Sequence, residues 1–188
     1  LSACTPTPAP VNASITIVDA QGRTITLPAA PQRIVIAGRA SALLADAVYL
    51  FPEAEDRVVA FSTTSQGTGD FISVLDPNFA NKAAFGTDVG PEQVVAFTPD
   101  LVIMKSYMAE KLGAPLEALG IPVIYLDLET PEQYTRDLNI LGQVFQNEAR
   151  AAELTTYYAS VVQRVNTGLA QSQPHPRVLL IYYTNRDS

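Results

Sequence analysis

The sequence contains no tryptophan, one cysteine and one histidine among its 188 residues. A lone Cys4 and a lone His175 exclude an internal disulfide framework and a Cys/His zinc site built within the chain. Several His with carboxylates, the usual set for bare zinc or manganese, are also missing, so no metal-ligating residues are assigned. His175 stands between Pro174 and Pro176 with no nucleophile pattern beside it, which argues against catalysis. Charge is scarce at 16%, and the 12 basic residues are outnumbered by 19 acidic ones. A protein that neutralises phosphates needs a basic face, so nucleic acid is excluded as a partner. No apolar run reaches the roughly 18 residues of a membrane span. Asp76, Asp88 and Glu92 show no spacing for paired acid–base work. Residues 38–41 lack the frame of a phosphate-binding loop, and Gly67-Thr68-Gly69 is too short to imply a nucleotide. What is present is a 47% hydrophobic composition, enough for a full globular core.

The chain opens Leu1-Ser2-Ala3-Cys4 and continues Thr5-Pro6-Thr7-Pro8-Ala9-Pro10. This resembles a bacterial lipobox and its tether. The resemblance implies cleavage before Cys4, diacylglycerol on its sulfur, and a stiff Pro-rich spacer after it. The plainer alternative is an isolated Cys in a loose terminus.

From Ser14 onward the pattern becomes regular. Ile15 and Ile17, then Ile25 and Leu27, alternate with polar residues around Gly22, which predicts a β-hairpin. Residues 33–37 form a short apolar run suited to a buried parallel strand, and Ser41 is placed to cap a helix carrying Leu43, Leu44, Ala47 and Val48. The unit recurs: strands are expected at 57–61, 100–104 and 122–126, with helices at 91–97 and 108–119. Such alternation predicts an α/β fold, a parallel sheet flanked by helices. Two helical stretches follow, 131–144 and 148–169, with a weak break at Gln146-Asn147. Residues 177–183 then read as one more buried strand without a sheet to join.

Three stretches carry a family resemblance. They are residues 19–28 with 31–35, residues 90–103 (Gly-Pro-Glu-Gln-Val-Val-Ala-Phe-Thr-Pro-Asp-Leu-Val-Ile), and residues 119–123 (Leu-Gly-Ile-Pro-Val). They are similar to extracytoplasmic substrate-binding proteins of ABC importers for ferric siderophores, haem or cobalamin. The resemblance implies one lobe of a two-lobed protein: a tether over 1–13, an amino-terminal ligand-binding lobe over 14–130, and a helical region over 131–171 containing a long interlobe helix. Residues 177–188 would begin a second lobe that is otherwise missing, and such a cut end would expose apolar surface and favour self-association. The implied activity is capture of a metal chelate outside the cytoplasm and delivery to a membrane permease, without a resident cofactor and without turnover. An enzyme acting on a tetrapyrrole or chelate, and a surface interaction module, are the alternatives.

Ligands of open parallel sheets meet the loops at the carboxyl ends of the strands. Three such loops supply candidates. Gly38 permits close backbone approach, Arg39 offers a bidentate guanidinium, and Ser41 lies beside them. Ser62, Thr63, Thr64 and Gln66 form a hydroxyl-rich and amide-bearing stretch, and Lys105, Ser106 and Tyr107 add a cation and an aromatic face. For each, a merely solvated loop is the alternative. Glu92 occupies the position from which the family's amino-terminal lobe pairs with an Arg of the permease, in the first turn of a helix where a carboxylate is also favoured for its own sake.

Overall fold

A computed structural model describes residues 14–63, 72–170, 177 and 179–180. The tether with Cys4, Thr64, Gln66 and most of the last expected strand lie outside the described residues; Leu179 and Leu180 are exposed and in no strand.

β1 (Ile15–Val18) and β2 (Thr24–Leu27) pair antiparallel, Ile17 opposite Ile25, and turn at Gly22 with φ 74°. The chain then enters the main sheet. β3 (Ile34–Ile36) is followed by α1 (Ser41–Val48), a short α2 (Ala54–Arg57) and β4 (Val58–Ser62). α3 (Ile72–Leu75) leads to β5 (Ala83–Phe85), then α4 (Pro91–Val95) and β6 (Leu101–Lys105). A 3-10 turn (Ser106–Met108) and a π turn (Ala109–Gly113) run into α5 (Ala114–Ala118), ahead of β7 (Val123–Leu126). The five parallel strands are ordered β5-β4-β3-β6-β7. β5 has no counterpart in the sequence reading, because Ala83-Ala84-Phe85 is a short, half-exposed edge segment without a β-branched run.

The inner strands are apolar throughout because both faces are covered. Ile34, Ile36, Leu101, Ile103, Ile124 and Leu126 face a core shared with α1 and the later helices. Val35, Val102, Met104, Val123 and Tyr125 face the opposite core, with Val94, Leu112 and Leu116. The edge of β7 is covered by the hairpin turn. Tyr125 O accepts from Ala20 N–H, Tyr125 N–H donates to Asp19, and Val123 O accepts from Arg23. An edge so occupied has no free ladder to offer another chain. Asp19 and Arg23, bridged at 2.7 Å, pin the turn, and the Arg23 guanidinium lies 4.1 Å from the Tyr125 ring centre.

α6 (Pro131–Phe145) and α7 (Glu148–Ala170) close the structure. Thr130 caps α6 by accepting from Gln133 N–H, and Gln146 ends it with φ 55°. The helices return antiparallel, in closest approach where a Cβ on Gly142 would come 2.6 Å from that of Ala151. Only Ala151 of α7 is buried. At 1.5 Å per residue the 23 residues of α7 outrun the 15 of α6 by about 12 Å. α6 starts where β7 ends, so this overshoot rises past the carboxyl edge of the sheet.

Candidate functional site

β3 and β6 are neighbours, but the chain leaves β3 toward β4 on one side and leaves β6 toward β7 on the other. This divergence opens a crevice at their carboxyl ends, the position where open α/β sheets take ligands. Gly38 and the 3-10 turn at Ser106–Met108 border it: Gly38, with φ 89°, is buried, and a Cβ there would stand 3.2 Å from Met108 Cε.

The candidate residues divide by burial. Ser62 and Ser41 are interior: the Gly38 N–H donates to Ser62 Oγ at 2.8 Å, and Ser41 Oγ donates to Ser62 O at 2.8 Å. These bonds fasten the β3 loop to the end of β4. Ser41 therefore stands inside α1 instead of capping it; Ala40, left-handed at φ 53°, takes the cap position. Thr63 is exposed and both its N–H and its hydroxyl donate to Phe85 O. Ser106 O accepts from the side-chain amide of Gln21, which links the hairpin turn to the crevice.

The charged candidates are not free. Arg39, well exposed, meets Asp88 at 3.0 Å, and Lys111 meets the same carboxylate oxygen at 3.2 Å. These two hydrogen-bonding cations hold the Asp88 carboxyl below the usual carboxylate range. Lys105 is the last residue of β6 and not a loop residue; its side chain is 1% exposed, donates to Asp127 O and pairs with Glu129 at 2.5 Å. A buried ammonium requires such partners. Tyr107 is 60% exposed, and its phenol is pushed up by burial and by Glu129 while Arg39 draws it down, so both charges act on it. Behind this row the buried Asp137 accepts from the N–H groups of Asp127 (2.7 Å) and Leu128 (2.8 Å), fixing the left-handed turn at Leu128 that presents Glu129.

Asp88, Lys111, Glu129 and Asp137 were not identified as site residues from sequence. The loop bearing Asp88 follows β5, the strand that sequence patterning missed, and the others pair across 23 residues or more or act through backbone N–H groups. Glu92 is exposed in the first turn of α4, its carboxylate folded back toward Gly90. A groove of about 890 Å³ lies elsewhere, between the start of α6 and the far half of α7, lined by Pro131, Thr135, Tyr158, Val162 and Asn166.

The model of the periplasmic binding protein family matches residues 34–187, a span that takes in the whole five-stranded sheet and both closing helices. The chain belongs to this family. A vitamin B12-binding protein of Yersinia pestis is 28% identical over 154 residues, covering 72% of this chain and 54% of that protein. Among solved structures, a periplasmic heme-binding protein of Pseudomonas aeruginosa is 26% identical with a TM-score of 0.60, covering 78% of this chain and 50% of that one. The TroA-like periplasmic binding protein FepB of Veillonella parvula superposes with a TM-score of 0.69 at 24% identity, over 86% of this chain and 51% of that one. That last likeness is one of fold. The chain spans about half the length of the curated relatives it matches. As in the family, the architecture is a parallel sheet flanked by helices with a long helix leaving it.

Proposed function

We propose that this periplasmic binding protein serves an ABC importer as its solute-binding component. It captures a chelated metal (a ferric siderophore, haem or cobalamin) outside the cytoplasm and carries it to the membrane permease, without turnover. The observation that carries this reading is the crevice between β3 and β6, bordered by Gly38, Arg39, Tyr107 and, across Tyr107, the Lys105–Glu129 pair. It combines close backbone approach, an exposed aromatic face and cations, the groups that a bulky chelate with peripheral oxygens requires. The overshoot of α7 past the same edge supports a two-lobed reading, since it would place any second lobe over this crevice. In this reading Cys4 carries the lipid anchor, Glu92 docks on a permease Arg, and Thr64 and Gln66 join the ligand-binding residues.

The test is direct. These 188 residues include eight Tyr, and bound chelate is read by quenching of intrinsic fluorescence. Full-length protein is titrated with ferric tris-catecholate, ferric trihydroxamate, haem and cobalamin. Saturable binding of one class at micromolar concentration or below is expected, and no binding by any of them sinks the reading.

A further inference from the structure

Four strands, β5, β3, β6 and β7, lead at their carboxyl ends into turns whose charged residues, with Lys105 at the end of β6, pair with one another. Lys111 and Arg39 share Asp88; Tyr107 stands under the influence of both Arg39 and Glu129; Glu129 pairs with Lys105. Each cation is thus paired with a carboxylate that belongs to the protein, three cations sharing two carboxylates and leaving one positive charge over. Asp88 and Glu129 are themselves 65% and 61% exposed, so water can replace the protein around them at little cost. Exposed ion pairs contribute little each, and neither Arg39–Asp88 nor Lys111–Asp88 is screened from solvent. Lys105 differs. Its ammonium is interior, always needs an anion, and receives one from the solvent side.

We propose that Asp88 and Glu129 act as stand-in anions, holding Arg39, Lys111 and Lys105 in place until an anionic chelate displaces the carboxylates and takes the same cations. The ligand class named is therefore a chelate with several negative oxygens at its periphery, such as a ferric catecholate or carboxylate complex, and not a neutral one. This rests on the solute-binding reading above and narrows it. An exchange of this kind keeps the cations ordered before binding, so fewer side-chain rotamers are frozen when the ligand arrives. It also makes the protein's own carboxylates competitors of the ligand, which gives the proposal an unusual sign: deleting an acid beside the site strengthens binding.

The experiment compares wild type, Asp88→Asn, Glu129→Gln and Arg39→Ala in full-length protein. The probes are trianionic ferric tris-catecholate and neutral ferric trihydroxamate, followed by quenching of intrinsic fluorescence at low and high salt. Asp88→Asn is expected to tighten the trianion about threefold, the scale of an exposed pair, and to leave the neutral probe unchanged. Glu129→Gln is expected to act in the same direction. Arg39→Ala is expected to weaken the trianion about tenfold, as loss of a charge-assisted hydrogen bond does. Raised salt should weaken the trianion alone. Unchanged or weaker trianion binding in Asp88→Asn overturns the proposal, as does a wild type that prefers the neutral probe. If a neutral chelate or cobalamin binds tightly and ignores Asp88, solute binding stands and this inference fails; if no chelate binds, both fail.

Discussion

Removing the Asp137 carboxylate should loosen the loop that presents Glu129, by an amount the geometry fixes. One oxygen, Oδ2, accepts from the N–H groups of Asp127 and Leu128 at 2.7 and 2.8 Å, while Oδ1 accepts from Arg136 Nε at 2.7 Å. The side chain is wholly buried. In Asp137→Ala both backbone donors lose their acceptor, and an unsatisfied buried donor costs about 1–3 kcal/mol, so a loss of about 4 kcal/mol is expected. Asp137→Asn is the finer probe. Its amide has one oxygen: turned toward the backbone donors, it points NH2 at Arg136 Nε–H, and turned the other way it abandons both backbone bonds. The first arrangement is better, because Arg136 is 37% exposed and water can serve it. The expected cost is therefore about 1–2 kcal/mol, one charge-assisted bond replaced by hydration. Urea unfolding of the three proteins gives the midpoints, and a common slope converts them to free energies. Hydrogen exchange at the amides of residues 127 and 128 localises the effect: protected in wild type and Asp137→Asn, fast in Asp137→Ala. An Asp137→Ala cost under about 1 kcal/mol, or equal costs for Asn and Ala, would refute the reasoning.

Four further outcomes are expected. Gly113→Ala should cost about 3 kcal/mol, because its Cβ would come 2.7 Å from Cζ of the buried Tyr125 and closer still to the hydroxyl. Tyr125→Phe in the same chain should recover part of that loss, and an unchanged melting temperature for Gly113→Ala alone would contradict the packing. Burial alone would raise the pKa of Asp76, but hydrogen bonds from Lys82 at 2.7 Å and Tyr49 at 2.9 Å outweigh it and hold it low. Its stabilisation is then complete above about pH 4 and lost as pH falls through the depressed folded value, so Asp76→Asn should flatten the acid limb of a stability–pH curve. Glu92→Arg in the full-length protein should impair uptake while leaving chelate affinity unchanged; normal transport would return Glu92 to a helix-stabilising acid. Cys4→Ser should move the protein, expressed with its signal, from the detergent phase to the soluble fraction, and equal partitioning would remove the anchor.

Much of this fold was legible because both faces of the sheet are covered. Runs such as residues 101–104 and 123–126 are apolar without alternation, and only a doubly covered strand reads that way. β5 escaped because two alanines and a phenylalanine on a partly exposed edge carry no such mark, and with it went the reason to place Asp88 beside Arg39. For the candidate residues, location was legible and contacts were not. Gly38, Arg39 and Tyr107 do stand at the crevice, yet Ser41 and Ser62, chosen as polar loop residues, are spent on joining two loops. Lys105 was placed in a loop, although it ends a strand and lies in the interior. Partners distant in sequence, such as Arg39 with Asp88, leave no periodic trace, since ion pairs across loops obey no repeat.

The hairpin that covers β7 also sets an order of events. Asp19 meets the Tyr125 N–H across 106 positions, and Arg23 reaches Val123 O across 100. A chain emerging amino-terminus first can pair β1 with β2 early, but the hairpin turn has no strand edge to clasp until β7 has followed. For that interval the hairpin is undocked and the growing sheet has one open side. Contacts so distant in sequence slow folding, and an unpaired strand is the usual point of misassociation. An escort that holds the emerging chain, during synthesis or export, is therefore most useful in the window that closes when Tyr125 arrives.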